Sequence, residues 1–79
     1  MYTDEMRRAF RSITPPKNFG VDLIDNDNFI SVVAREDVFM RLLDEEKRNA
    51  IEYMVRVKKA LEDNGAIVLL VREGGKEQL

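Results

Sequence analysis

The chain contains no cysteine and no histidine. The first absence excludes a disulfide framework, a thiolate metal site and a thiol nucleophile. The second removes the imidazole base and the commonest zinc ligand. A 79-residue domain without these staples must draw its stability from packing, with self-association as a further source. Long hydrophobic runs are missing too. The longest covers residues 66–71, far short of the roughly 20 residues that span a bilayer. The opening Met1-Tyr2-Thr3-Asp4-Glu5 is charged at once and lacks the apolar centre of a signal peptide. The simplest expectation is a soluble cytoplasmic protein that engages no membrane.

Catalytic signatures are equally scarce. There is no nucleophile elbow, no glycine-rich phosphate loop and no dinucleotide fingerprint. Gly74-Gly75 follows a predicted strand but opens no helix, so it is no phosphate cradle. Carboxylates are the only acid–base equipment: Asp22, Asp25 and Asp27, or Glu36 with Asp37. Such pairs work as acid and base when burial or repulsion splits their pKa values, and turn or helix-start acids are normally wet. No enzyme, cofactor or metal site is expected.

What the chain does contain is a folding signal, strongest over residues 44–72. Asp44 is placed to cap a helix, with Glu45 and Glu46 putting negative charge on its first turn. Ala50, Tyr53/Met54, Val57 and Ala60/Leu61 recur at helical spacing and draw one apolar stripe. Asn64-Gly65 ends the helix, and the unbroken apolar run 66–71 reads as a strand buried on both faces.

Upstream, Thr3 or Asp4 caps a first helix running to about Ile13, with Tyr2, Met6, Phe10 and Ile13 on one face and Arg7, Arg8 and Arg11 off it. Pro15-Pro16 stops this helix and opens a linker over residues 14–20. Residues 21–24 and 29–34 flank Asp25-Asn26-Asp27-Asn28 as a β-hairpin, with Val21/Leu23 and Phe29/Ser31/Val33 setting the alternation. Arg35-Glu36-Asp37 starts a short helix in which Val38/Leu42 and Phe39/Leu43 form a broad inward face. Residues 36–43 and 44–63 are either one helix or two, and the start signal at 44–46 favours two. Residues 74–79 read as a flexible tail.

The expected fold is therefore one small α+β domain over residues 1–79, of order α-β-β-α-α-β. A three-stranded, mainly antiparallel sheet packs against helices within residues 21–73. A tight hairpin makes the first two strands neighbours, so the third pairs outside them, at an edge. An apolar edge invites pairing with another chain, and Ile67, Leu69 and Val71 are the candidate residues for homodimer formation.

Four patterns bear on function. Glu36 stands twelfth from Asp25, as in a calcium loop, but Phe29 and Ile30 occupy positions where an oxygen ligand and a glycine are needed. A solvated turn is the better reading. Val71-Arg72-Glu73-Gly74-Gly75 imitates a modifier's conjugation tail, yet two helical segments before a lone final strand do not fit that architecture. Arg7, Arg8, Arg11 and Lys17 form a basic head for nucleic acid, although the net charge is −2 and the nearby aromatics lie on the other face of the helix. Finally, an amphipathic helix on a proline hinge suits a groove in a partner, or else completes the domain's own core.

The leading expectation is a small non-enzymatic protein-binding or regulatory module. It would act through the N-terminal helix (Tyr2, Met6, Arg7, Phe10, Arg11) and an acidic hairpin (Asp22, Asp25, Asp27). Such an acidic surface also suits an inhibitor of the kind viruses and mobile elements encode, by mimicking nucleic acid towards a basic partner. The alternative is a nucleic-acid-binding accessory protein using the N-terminal arginines.

Overall fold

A computed structural model describes residues 1–13 and 18–73. The prolines at 15 and 16, Lys17 and the 74–79 tail, with the glycine pair, lie outside the described residues. The elements are α1 (Asp4–Ser12), β1 (Val21–Asp25), β2 (Ile30–Ala34), α2 (Glu36–Phe39), α3 (Asp44–Asp63) and β3 (Val68–Arg72). This is the α-β-β-α-α-β order expected for a small α+β domain.

Helix starts and stops follow local chemistry. The Thr3 hydroxyl accepts the Met6 N–H at the head of α1. At α3 the capping position is Leu43, one residue before Asp44. The reciprocal half of a capping arrangement survives there, because the Leu43 N–H donates to Glu46 Oε1 at 2.8 Å. Asp44 is thus the first helical residue, and its charge acts on the helix dipole instead of capping. Gly65 takes φ +95°, and the Ala66 N–H returns to the Leu61 carbonyl to close the C-terminus. α2 and α3 are separate helices. α2 stops at Phe39 and the chain turns through Met40 to Leu42. Leu43 is therefore released to solvent rather than turned inward with Phe39.

The sheet is mixed, in order β1-β2-β3. β1 and β2 pair antiparallel with Val21 opposite Ala34, Leu23 opposite Val32 and Asp25 opposite Ile30. β3 returns parallel to β2, with Ile30 opposite Val68 and Val32 opposite Leu70, because two helices carry the chain back before it pairs. The apolar run at 66–71 supplies an edge strand, as the tight hairpin requires, and the central position belongs to β2, all five residues of which are buried. Burial on both faces of β2 also explains why its period misleads. The residues that face the core beside Val21 and Leu23 are Ile30, Val32 and Ala34, not Phe29, Ser31 and Val33.

The core lies on one face of the sheet. α3 contributes Ala50, Tyr53, Met54, Val57 and Leu61, the sheet gives Ile30, Val32, Ala34, Val68 and Leu70, and Met6, Phe19, Phe39, Leu42 and Ala66 complete it. Phe19 packs a tilted ring on Tyr53, whose hydroxyl pKa burial pushes up. At the far end of β3 the Arg72 guanidinium lies 4.9 Å from the Phe39 ring centroid. Its Nε is 3.4 Å from Glu36 Oε2, tying the strand to α2. Val33, Leu69 and Val71 take no part in that core. By strand parity they share the opposite face with Asp22, Ile24 and Ser31, and among the described residues no helix covers that face.

Candidate functional site

A cleft of about 290 Å³ lies between α1, with the residues just before it, and β1, which forms one edge of the sheet. Tyr2 and Phe10 wall it on the helix side, Val21, Leu23 and Ile30 form its floor, and Asp25 stands at its polar end. Asp22 borders it from β1, with its side chain on the other face of the sheet by strand parity. The helix that makes this wall is docked. Met6 is buried, and Tyr2, Phe10 and Ile13 pack against the core. The apolar stripe of α1 thus completes the domain, while its upper residues leave a gap over the strand edge.

Asp25 holds the N-terminal segment across one end of the cleft. The Met1 ammonium donates to Asp25 Oδ2 at 2.9 Å, and the Tyr2 N–H donates to the same oxygen at 3.0 Å. Within the turn, the Asp27 N–H donates to Asp25 Oδ1 at 3.0 Å, with Asp27 at φ +67°. The hydrogen bond from the chain's ammonium comes first, then the Tyr2 and Asp27 N–H groups, in holding the Asp25 pKa below its ordinary value. Its charge is therefore matched from within. Asp22 and Asp27 are exposed and make no ion pair among the described residues.

Four residues expected to bind a partner converge on this cleft: Tyr2, Phe10, Asp22 and Asp25. Asp27 sits in the turn beyond it, and Met6 lies beneath α1 in the core. Arg7 stacks its guanidinium 5.9 Å from the Tyr2 ring centroid, and Arg8 approaches Glu5 at 3.6 Å. Arg11 is exposed in the last turn of α1. Val21, Leu23 and Ile30 are cleft residues that the reading of the sequence did not single out. The alternation of Val21 and Leu23 was visible, that of Ile30 was not, and which strand forms an open edge follows only from strand order.

Ile67, Leu69 and Val71 line the helix-free face of the sheet. Ile67 is 64 % exposed and Ile24, at the other side of the same face, 48 %. Among the described residues no three carboxylates gather as a metal site, and no helix is long and apolar enough to cross a membrane. The chemistry on offer is therefore apolar contact, main-chain hydrogen bonding at a strand edge, and carboxylate charge. The chain matches no family model, no curated protein and no solved structure.

Proposed function

We propose that the protein is a non-enzymatic, regulatory protein-binding module whose partner docks in the cleft between α1 and β1. One observation carries this reading: an apolar cleft opens on a strand edge, and two carboxylates without an ion pair among the described residues, Asp22 and Asp27, stand near that edge. Apolar contact then supplies affinity, and the acids select a basic partner surface and speed encounter. A module of this kind regulates or inhibits by occupying that basic surface.

The test is affinity capture with the wild-type chain, Asp22→Lys, Phe10→Ala and an Arg8→Glu/Arg11→Glu double variant, each with and without nuclease. A stoichiometric protein partner should survive nuclease, be lost with Asp22→Lys and Phe10→Ala, and persist with the arginine double variant. Partners that disappear with nuclease and with the arginine variant would instead establish nucleic-acid binding by α1.

A second reading concerns self-association. Val68 and Leu70, whose main-chain groups point away from β2, are only 4 % and 6 % exposed, so the β3 edge offers little surface for strand pairing. The helix-free face offers more: Ile24 and Ile67 are exposed there, Leu69 and Val71 partly so, with Asp22 at its β1 margin. A second copy of this chain, presenting the same apolar residues with Asp22 left at the margin, is the occupant that suits it, in a two-fold sandwich of sheets.

A further inference from the structure

We infer that the occupant of the cleft is an extended segment of alternating apolar and basic residues that joins β1 as a fourth strand. The inference rests on the docking reading above and adds the partner's conformation and chemistry. Hydrogen-bonded and non-bonded pairs alternate along an antiparallel ladder. Flanking bonds fix the phase here: the Arg35 N–H donates to the Gly20 carbonyl and the Asn26 N–H to the Phe29 carbonyl. The register then makes Asp22 with Val33 and Ile24 with Ser31 the bonded pairs. The N–H and C=O groups of Val21 and Leu23 consequently point away from β2, out of the sheet.

The two sheet edges are not equivalent. At β3 the outward-pointing residues, Val68 and Leu70, are almost wholly buried, whereas at β1 Val21 and Leu23 are only half-buried and form the floor of the cleft. The β1 edge is thus the accessible one, and it is backed by an apolar gap. Main-chain pairing at such an edge gives affinity, and pockets beneath alternate side chains give selectivity. Directly opposed residues project to the same face. In antiparallel addition, a residue opposite Leu23 drops its side chain between Tyr2, Phe10 and Ile30. One opposite Asp22 emerges on the other face beside a carboxylate.

Charge and volume narrow the occupant further. About 290 Å³ lies at the small end for a drug-sized ligand and suits an inserted apolar side chain. A residue facing Asp22 gains by being Lys or Arg. A second copy of β1 does not qualify, because its own Asp22, Asp25 and Asp27 would crowd the same acids.

The experiment titrates the full ¹⁵N-labelled chain with a capped peptide of three Lys-Val repeats. Three Glu-Val repeats and a Lys-Lys-Lys-Val-Val-Val peptide serve as controls. Expected are shifts at Tyr2, Phe10 and Leu23, hydrogen exchange at the Val21 and Leu23 amides slowed at least about tenfold at saturation, and binding at least about tenfold weaker for both controls. Backbone N-methylation should abolish binding at the valines and be tolerated at the lysines, because in antiparallel pairing the cleft-facing residues also bond to β1. Loss only with methylated lysines would overturn the antiparallel arrangement. Shifts at the cleft without slowed exchange, or with both methylated series binding normally, would overturn strand addition and leave docking at the cleft standing. Equal binding of the Glu-Val peptide would overturn the basic selectivity. No shift with any peptide overturns the inference as a whole. The docking reading falls separately, if Asp22→Lys and Phe10→Ala leave partner capture unchanged.

Discussion

Val38 occupies the space that a side chain on Gly20 would need: an ideal β-carbon there would lie 2.6 Å from Val38 Cβ. Gly20 also stands at φ +67°, just before β1, where its carbonyl receives the Arg35 N–H and so aligns the start of the hairpin. Gly20→Ala should therefore cost about 3 kcal/mol, combining left-handed strain with overpacking against α2. Gly65 has φ +95° but open space around it, so Gly65→Ala should cost only about 1 kcal/mol. Urea denaturation of the two variants checks the difference. Equal losses would mean that Val38 yields freely.

Asp25 gives the stability a defined pH dependence. Its folded-state pKa lies below the ordinary 3.8, through the chain's ammonium and the Tyr2 and Asp27 N–H groups. The unfolded chain therefore takes up its proton first as pH falls. The contribution of Asp25 is complete above the ordinary value and disappears as pH drops through the lowered one. The stability gap between wild type and Asp25→Asn should be widest near neutrality and should close under acid. Thermal melts from pH 7 to pH 2 would show it, and a gap that stayed constant would contradict it.

Met54 and Val55 are sequence neighbours with opposite surroundings. Met54 is wholly buried beneath α3, whereas about half of Val55 faces solvent. Met54→Ala should cost about 2–5 kcal/mol, as large-to-small core changes do. Val55→Ala should stay within about 0.5 kcal/mol. Chemical denaturation separates the two outcomes.

Ile67→Lys tests the helix-free face. The side chain is exposed, so the monomer should lose no more than about 0.5 kcal/mol. Light scattering coupled to size exclusion should show a wild-type dimer and a monomeric variant. A wild type that remains monomeric at high concentration would rule out self-association through this face.

Much of this architecture was legible from the residues. The Tyr2–Met6–Phe10–Ile13 period, the Asn64-Gly65 stop and the Asp/Asn turn each fix a local geometry. Every element stands within a residue or two of its expected place except α2, which ends at Phe39, four residues before the expected end at 43. The tight hairpin placed the third strand at an edge, but local pattern could not carry which hairpin strand it joins, nor in which direction. Residues 66–71 and β2 are both apolar runs. Only the return path through α2 and α3 decides that β3 joins β2 rather than β1, leaving β2 at the centre, and that it runs parallel. The cleft was hidden for the same reason. Tyr2, Phe10, Asp22 and Asp25 were recognisable as surface candidates one by one, but Leu23 and Val21 matter because β1 is an edge. Leu43 shows a smaller failure: its helical spacing from Phe39 counted for nothing once the chain turned between them.

The parallel pairing of β3 with β2 also sets a timetable. β1 and β2 are joined by a short turn and can zip together early, whereas Ile30 meets Val68 only after a loop carrying two helices has closed. That longer closure costs about 2 kcal/mol more in chain entropy. During synthesis the uncharged run at 66–71 emerges after every other element, with its place beside β2 still vacant. The price of this topology is a brief exposure of the chain's most aggregation-prone window. Truncating Val68 should therefore mainly accelerate unfolding, and truncating Leu23 should mainly slow folding.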